Sequence, residues 1–180
     1  QSYGILVVLL FASTLVLIPS ANVTSNTAPS VQWKRTYGGI GEEKICGWRS
    51  VVETSDSGYA LVGTTTSLGA GNQDFWLVKT DVSGNVQWNK TYGRLYDDVA
   101  YSAIQTSDGG YALTGPSWNQ TRGAHDLFLV KTDANGNMQW NLTYIPDSSG
   151  GSLDWGHPYS VIQTTDGGYI LSGSVRHHPL

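Results

Sequence analysis

The chain has 180 residues, enough for one domain with a core of ordinary size. Ten Lys and Arg against fourteen Asp and Glu leave a net charge of −4. No run of like charge and no basic stripe occurs, which excludes nucleic acid as an expected partner. A single cysteine, Cys46, excludes an intrachain disulfide framework and a Cys-based zinc site, and reads as a small buried or half-buried residue. Gly at 22 residues, with seven Trp and ten Tyr beside three Phe and one Met, suits short strands joined by tight turns.

In chain order, Ile5 to Ile18 reads ILVVLLFASTLVLI without a charge. That is shorter than the roughly 20 residues of a membrane-crossing helix and fits the apolar part of a leader. Residues 1–19 are therefore expected to form a hydrophobic helix, as a cleaved signal peptide or a retained signal anchor. The positive n-region is missing and the chain starts at Gln1, so a few initial residues are expected to be absent. Pro19-Ser20-Ala21 is a poor cleavage signal, and both fates of the leader stay open. Residues 20–30 (SANVTSNTAPS) read as a flexible spacer. The remainder of the chain is expected outside the cytoplasm, secreted or at the cell surface, with membrane contact only through the N-terminal segment.

From residue 31 onward the sequence repeats. VQWKRTYGG at 31–39 returns as VQWNKTYGR at 86–94 and MQWNLTYIP at 138–146. SVVETSDSGYALVG at 50–63 returns at 102–115 and 160–173, and DFWLVKTDVSGN at 74–85 returns at 126–137. Trp33 to Trp88 is 55 residues, and Trp88 to Trp140 is 52. Such a period marks a repeat architecture in which each unit needs a neighbour to bury its faces.

The middle repeat predicts four strands. AYSAIQT at 100–106 is the first, and the Asp-Gly turn SDGG leads to YALTG at 111–115. A polar loop, 116–125, precedes LFLVKT at 127–132, whose apolar run argues burial on both faces. After a second turn with Gly136, NMQWNLTY alternates, with Met138 and Trp140 on one face, as a half-exposed outer strand does. The expected fold is all-β: β-propeller blades, four-stranded antiparallel repeats of about 52 residues, preceded by the hydrophobic helix. Residues 31–180 hold three Trp strands and three Gly-Tyr strands but two L-V-K strands; the expectation is about two and a half blades of a longer polypeptide.

The GGY-hydrophobic-x-G, D-x-W/F-L-V-K and G-N-x-x-W strands resemble the extracellular delta-60-type and Kelch-like propeller repeats common in archaeal and bacterial surface proteins. The resemblance covers residues 31–174 and implies a role in adhesion or binding rather than a defined chemistry. The turns around Asp56, Asp108 and Asp166, closed by Gly58, Gly110 and Gly168, are similar to the Asp-box of sialidase-type propellers without its final Thr-Trp. The resemblance implies a structural hairpin there, the Asp accepting backbone N–H bonds.

Among candidate residues, Trp33, Trp88 and Trp140 recur at the period and read as packing between repeats. Trp118 and Trp155 sit in or beside loops, where an aromatic ring can stack on a sugar or pack locally. Asp74 and Asp126 open the buried third strand, placed either for a polar ligand or calcium, or for a strand-entry hydrogen bond. The turns at Asp81 and Asp133 have too few spaced oxygens for a calcium loop. Asn22, Asn89, Asn119 and Asn141 begin glycosylation sequons. No nucleophile motif, paired catalytic carboxylate or His pairing is visible, and no cofactor or metal is expected. The expectation is a non-catalytic surface module binding a polysaccharide or protein. The alternatives are a fragment of a lyase-like or glycosidase-like propeller enzyme, and a purely structural envelope protein.

Overall fold

The computed structural model describes residues 5–10, 31–47, 49–145 and 155–176. In chain order the strands are β1 (Ile5–Leu10), β2 (Val31–Tyr37), β3 (Glu43–Lys44), β4 (Val51–Glu53), β5 (Tyr59–Thr65), β6 (Asp74–Thr80) and β7 (Val86–Tyr92). Then come β8 (Ser102–Gln105), β9 (Tyr111–Asn119), β10 (Ala124–Thr132), β11 (Met138–Tyr144), β12 (Trp155–Gln163) and β13 (Tyr169–Arg176). All sheet pairings are antiparallel, and no helix occurs among the described residues.

Two units carry the repeat. The first has strand order β3-β5-β6-β7 with β4 also beside β5, and the second β11-β10-β9-β8. β12 pairs with β13, and β1 with β2. Each unit lies between two neighbours, and the period-two alternation of its middle strands feeds both interfaces. On β5 and β6, Ala60, Val62, Phe75 and Leu77 pack against Tyr111, Leu113, Phe128 and Val130 of the second unit. The intervening Tyr59, Leu61, Trp76 and Val78 pack against Trp33 and Tyr37 of β2. In the second unit, Ala112 and Leu129 face the other way, onto Val161, Tyr169 and Leu171 of β12 and β13. Full burial of each large side chain contributes about 1.5–3 kcal/mol, so these interfaces hold the fold. That explains why the middle of each L-V-K strand, Phe75 to Val78 and Leu127 to Val130, is apolar without a break: both of its faces pack on a neighbouring sheet.

Three features depart from the sequence expectations. The expected polar loop at 116–125 is largely strand, because β9 continues to Asn119 and β10 starts at Ala124. Pro116 is tolerated there since its carbonyl still accepts the N–H of Val99, at 3.0 Å. Cys46 is exposed rather than buried, in the short connection between β3 and β4, both of which pair with β5. The expected N-terminal helix lies mostly outside the described residues. Its described part, Ile5–Leu10, is a strand, with Ile5 opposite Tyr37 and Leu9 opposite Trp33. This is the register by which Phe75 meets Tyr92 and Lys79 meets Trp88, so the β-branched run takes the place of an L-V-K strand beside β2.

Candidate functional site

The sheets have two ends of different chemistry. At one end lie the Asp turns. Thr54 Oγ1 bonds Asp56 Oδ1 at 2.5 Å, and Gly58 N–H donates to the same oxygen at 3.1 Å. Asp108 with Thr106 and Gly110, and Asp166 with Thr164 and Gly168, repeat the arrangement. The buried ammonium of Lys79 completes it, donating to Asp56 Oδ2 at 2.8 Å, to the Thr80 carbonyl at 2.8 Å and to Gln87 Oε1 at 3.0 Å. Lys131 does the same for Asp108, Thr132 and Gln139. A Cβ on Gly58 would lie 2.2 Å from the Thr80 carbonyl, so the hairpin closes only around glycine. The donors and acceptors here are spent within the turn, which is a structural device.

The other end carries two transverse rows of polar side chains. Glu43 is opposite Thr65 and Thr65 opposite Asp74; likewise Asp98 is opposite Ser117 and Ser117 opposite Asp126. Cross-strand partners share a face, so each row places a hydroxyl between two carboxylates. All six residues are buried. Thr65 Oγ1 donates to Glu43 at 3.0 Å, and the Arg94 side chain donates to Ser117 Oγ. Asp126 is fully compensated, by an ion pair with Arg122 and the side-chain amide of Asn119 at 2.9 Å.

Asp74, its equivalent in the first unit, has no such ion pair among the described residues. Its Oδ2 accepts the Gly71 N–H at 3.0 Å, while Oδ1 has no hydrogen-bond partner among the described residues. Asp98 Oδ2 accepts the Arg94 N–H, and its Oδ1 likewise has none. The two carboxylates converge beside Gly93: a Cβ there would lie 1.9 Å from Asp74 Oδ1 and 3.0 Å from Asp98 Oδ2. Burial raises the pKa of both. Backbone N–H bonds oppose it at Asp74; at Asp98 Ser117 and Arg94 oppose it, and the Asp74 charge adds to it.

Next to this pair is a cavity of 540 Å³ lined by Arg94, Tyr96, Trp118, Asn119 and Thr121 among others. Trp118 is half-buried, its ring edge-on to His125 at 5.0 Å, and His125 is tilted against His157 at 5.3 Å. Burial, and then the neighbouring His157, lower the His125 pKa. A larger groove of 950 Å³ runs between β4 and β8, but its lining contains no aromatic side chain. No group of three or more His, Cys, Asp or Glu side chains suited to a metal occurs among the described residues.

The remaining sequence candidates are dispersed. Trp33, Trp88 and Trp140 contact Tyr59, Tyr111 and Tyr169 of the next sheet at 5.9, 5.7 and 5.5 Å. Asn89 and Asn141 are exposed on the outer strands. The Asn119 side-chain nitrogen, which a glycan would occupy, is instead engaged by Asp126. Asn22 and the Trp155 side chain lie outside the described residues. Sequence reasoning missed Asp98, Glu43, Arg94, Tyr96 and the two buried lysines. A signal existed for one pair: Glu43 and Asp98 are 55 residues apart, like Trp33 and Trp88.

Fold and site together define an all-β protein built of repeated antiparallel sheets, with a structural turn end and an opposite end rich in buried carboxylates. No protein-family model matches the sequence, and no curated protein matches it.

Proposed function

We propose that the chain is part of an extracellular β-propeller whose repeat units are its blades, and that it is a non-catalytic module binding polysaccharide at the Trp118 cavity. The observation that carries the binding reading is the lining of that cavity. Trp118 and Tyr96 bring aromatic rings and Arg94 a guanidinium to one lining, the combination that suits a sugar's apolar face and hydroxyl rim. The blade reading rests on repeated docking. Tyr37 and Tyr92 donate their hydroxyls to the carbonyls of Gly84 and Gly136 in the next unit, each at 2.7 Å. Trp140, the third Trp of the series, meets Tyr169 of the β12-β13 sheet at 5.5 Å, while Tyr144 is 61% exposed on β11 and would gain the same acceptor from a Gly hairpin beside that sheet.

The experiment is a polysaccharide and glycan-array screen followed by titration calorimetry on the best ligand. Trp118→Ala and Tyr96→Ala should each weaken binding at least tenfold with little change in melting temperature. Retention of no glycan, or full affinity in both variants, would overturn the binding reading.

A further inference from the structure

We propose that Asp74 and Asp98 hold a divalent cation of the calcium type where the two repeat units meet. The inference is independent of the glycan reading. Both carboxylates are at most 1% exposed, come from different units and approach the same point beside Gly93, Asp74 through Oδ1 and Asp98 through Oδ2. Each keeps one oxygen with no hydrogen-bond partner among the described residues, Asp74 Oδ1 and Asp98 Oδ1. A buried pair of carboxylates so placed is unfavourable in its doubly charged form, and Asp74 has no side-chain cation among the described residues to offset it.

The repeat shows what the position demands. Asp126 occupies the same place in the second unit, and there Arg122 neutralises it. In the first unit the corresponding loop is TSLGAGNQ, without a basic residue. The Arg94 guanidinium, whose charge favours ionised Asp98, donates to Ser117 Oγ, lies 5.2 Å over the Phe128 ring and makes no ion pair with Asp74 among the described residues. Gly93 lets the Asp74 carboxylate approach its backbone, since a Cβ there would lie 1.9 Å from Asp74 Oδ1. Nearby main-chain carbonyls of Arg94 and Tyr96 converge on Gly71, whose N–H already holds Asp74. Calcium accepts six to eight oxygens, mixing carboxylates, carbonyls and water in flexible geometry, whereas magnesium demands a near-ideal octahedron. Two carboxylates without a third acidic or His ligand therefore point to calcium of modest affinity.

The test uses the full 180-residue chain stripped with EDTA, titrated with calcium chloride by calorimetry and followed by thermal melting. The expected result is saturable binding of one calcium with a rise in melting temperature, and at least tenfold weaker response to magnesium. Asp74→Asn, Asp98→Asn and Gly93→Ala should each lower calcium affinity at least tenfold, while the exposed-residue control Glu53→Gln stays within twofold. In EDTA the two Asn variants should melt at or above the parent temperature, because each removes one buried like charge. Absence of saturable binding up to about 10 mM calcium, beyond the usual range of extracellular sites, would overturn the proposal. So would an Asn variant that fails to fold in EDTA, since the carboxylates would then be serving the fold without a cation.

Discussion

The ammonium of Lys79 lies 2.8 Å from Oδ2 of Asp56, tying the middle of one hairpin to the turn of another 23 residues earlier. The ammonium is almost fully buried, while the carboxylate side chain is 53% exposed. Removing the lysine therefore leaves a carboxylate that water can take up, but strands the Thr80 carbonyl and Gln87 beneath it. Lys79→Met keeps the apolar stem and should cost about 2 kcal/mol, in the range of hydrogen bonds to charged groups. Urea unfolding at an unchanged m-value is the measurement; a midpoint equal to wild type would remove the latch from the stability account.

The same turns set a pH response. Lys79 and then Thr54 hold the Asp56 carboxyl at about 2, and Lys131 and then Thr106 do the same for Asp108. A depressed folded pKa contributes stability that is complete above the unfolded value of about 3.9 and is lost as pH falls through the folded value. The window for these turns is thus about pH 4 down to about 2. Both carboxylates are half exposed, so solvent screening keeps the effect small. Melting temperature measured across that window should fall less steeply in an Asp56→Asn, Asp108→Asn double variant than in the parent chain. Parallel profiles would contradict the assignment.

Ser57 has φ of +62°, where the equivalent turns place Gly109 at +79° and Gly167 at +87°. A left-handed conformation costs a non-glycine residue roughly 1–2 kcal/mol. Ser57→Gly should raise stability by about 0.5–1 kcal/mol after the extra unfolded-chain freedom of glycine is deducted. Gly109→Ser should reverse the sign: a Cβ there meets only Ala134 at 3.8 Å, so the loss would be one of backbone conformation rather than space. Chemical denaturation of both variants decides it, and a destabilised Ser57→Gly would count against the strain.

The repeating strands were legible because their period-two and period-52 patterns come from burial on both faces, as in Phe75-Trp76-Leu77-Val78. The turns were legible through Asp56, Asp108 and their closing glycines. The site was less so. Asp98 has no chemically identical partner in the repeat, only Glu43 at the corresponding place, and its meaning depends on Asp74 24 residues earlier. Lys79 and Lys131 stand near the ends of apolar strands in the sequence, and only the cross-strand fold brings each one under an Asp turn. The hairpin through Pro116 was hidden by proline, which sequence patterns treat as a strand breaker. The apolar run Ile5–Leu10 is compatible with helix or strand by composition alone, and its pairing with β2 decides it.

Docking between units turns on Gly136. Its φ is +75°, a Cβ there would lie 2.6 Å from the Trp88 ring, and its carbonyl accepts the Tyr92 hydroxyl at 2.7 Å. Trp88 and Tyr92 belong to β7 of the first unit, whereas Gly136 closes the last hairpin of the second. Gly136→Ala combines a strained backbone with overpacking and should cost about 2–4 kcal/mol. Tyr92→Phe removes one buried hydrogen bond and should cost about 1–1.5 kcal/mol. The double variant should cost less than the two losses added, since an interface already forced apart has no Tyr92 bond left to lose. Urea unfolding of the four proteins in the cycle gives the coupling directly. Strict additivity would mean that Tyr92 and Gly136 act on separate contacts and that the turn is not what fastens one unit to the next.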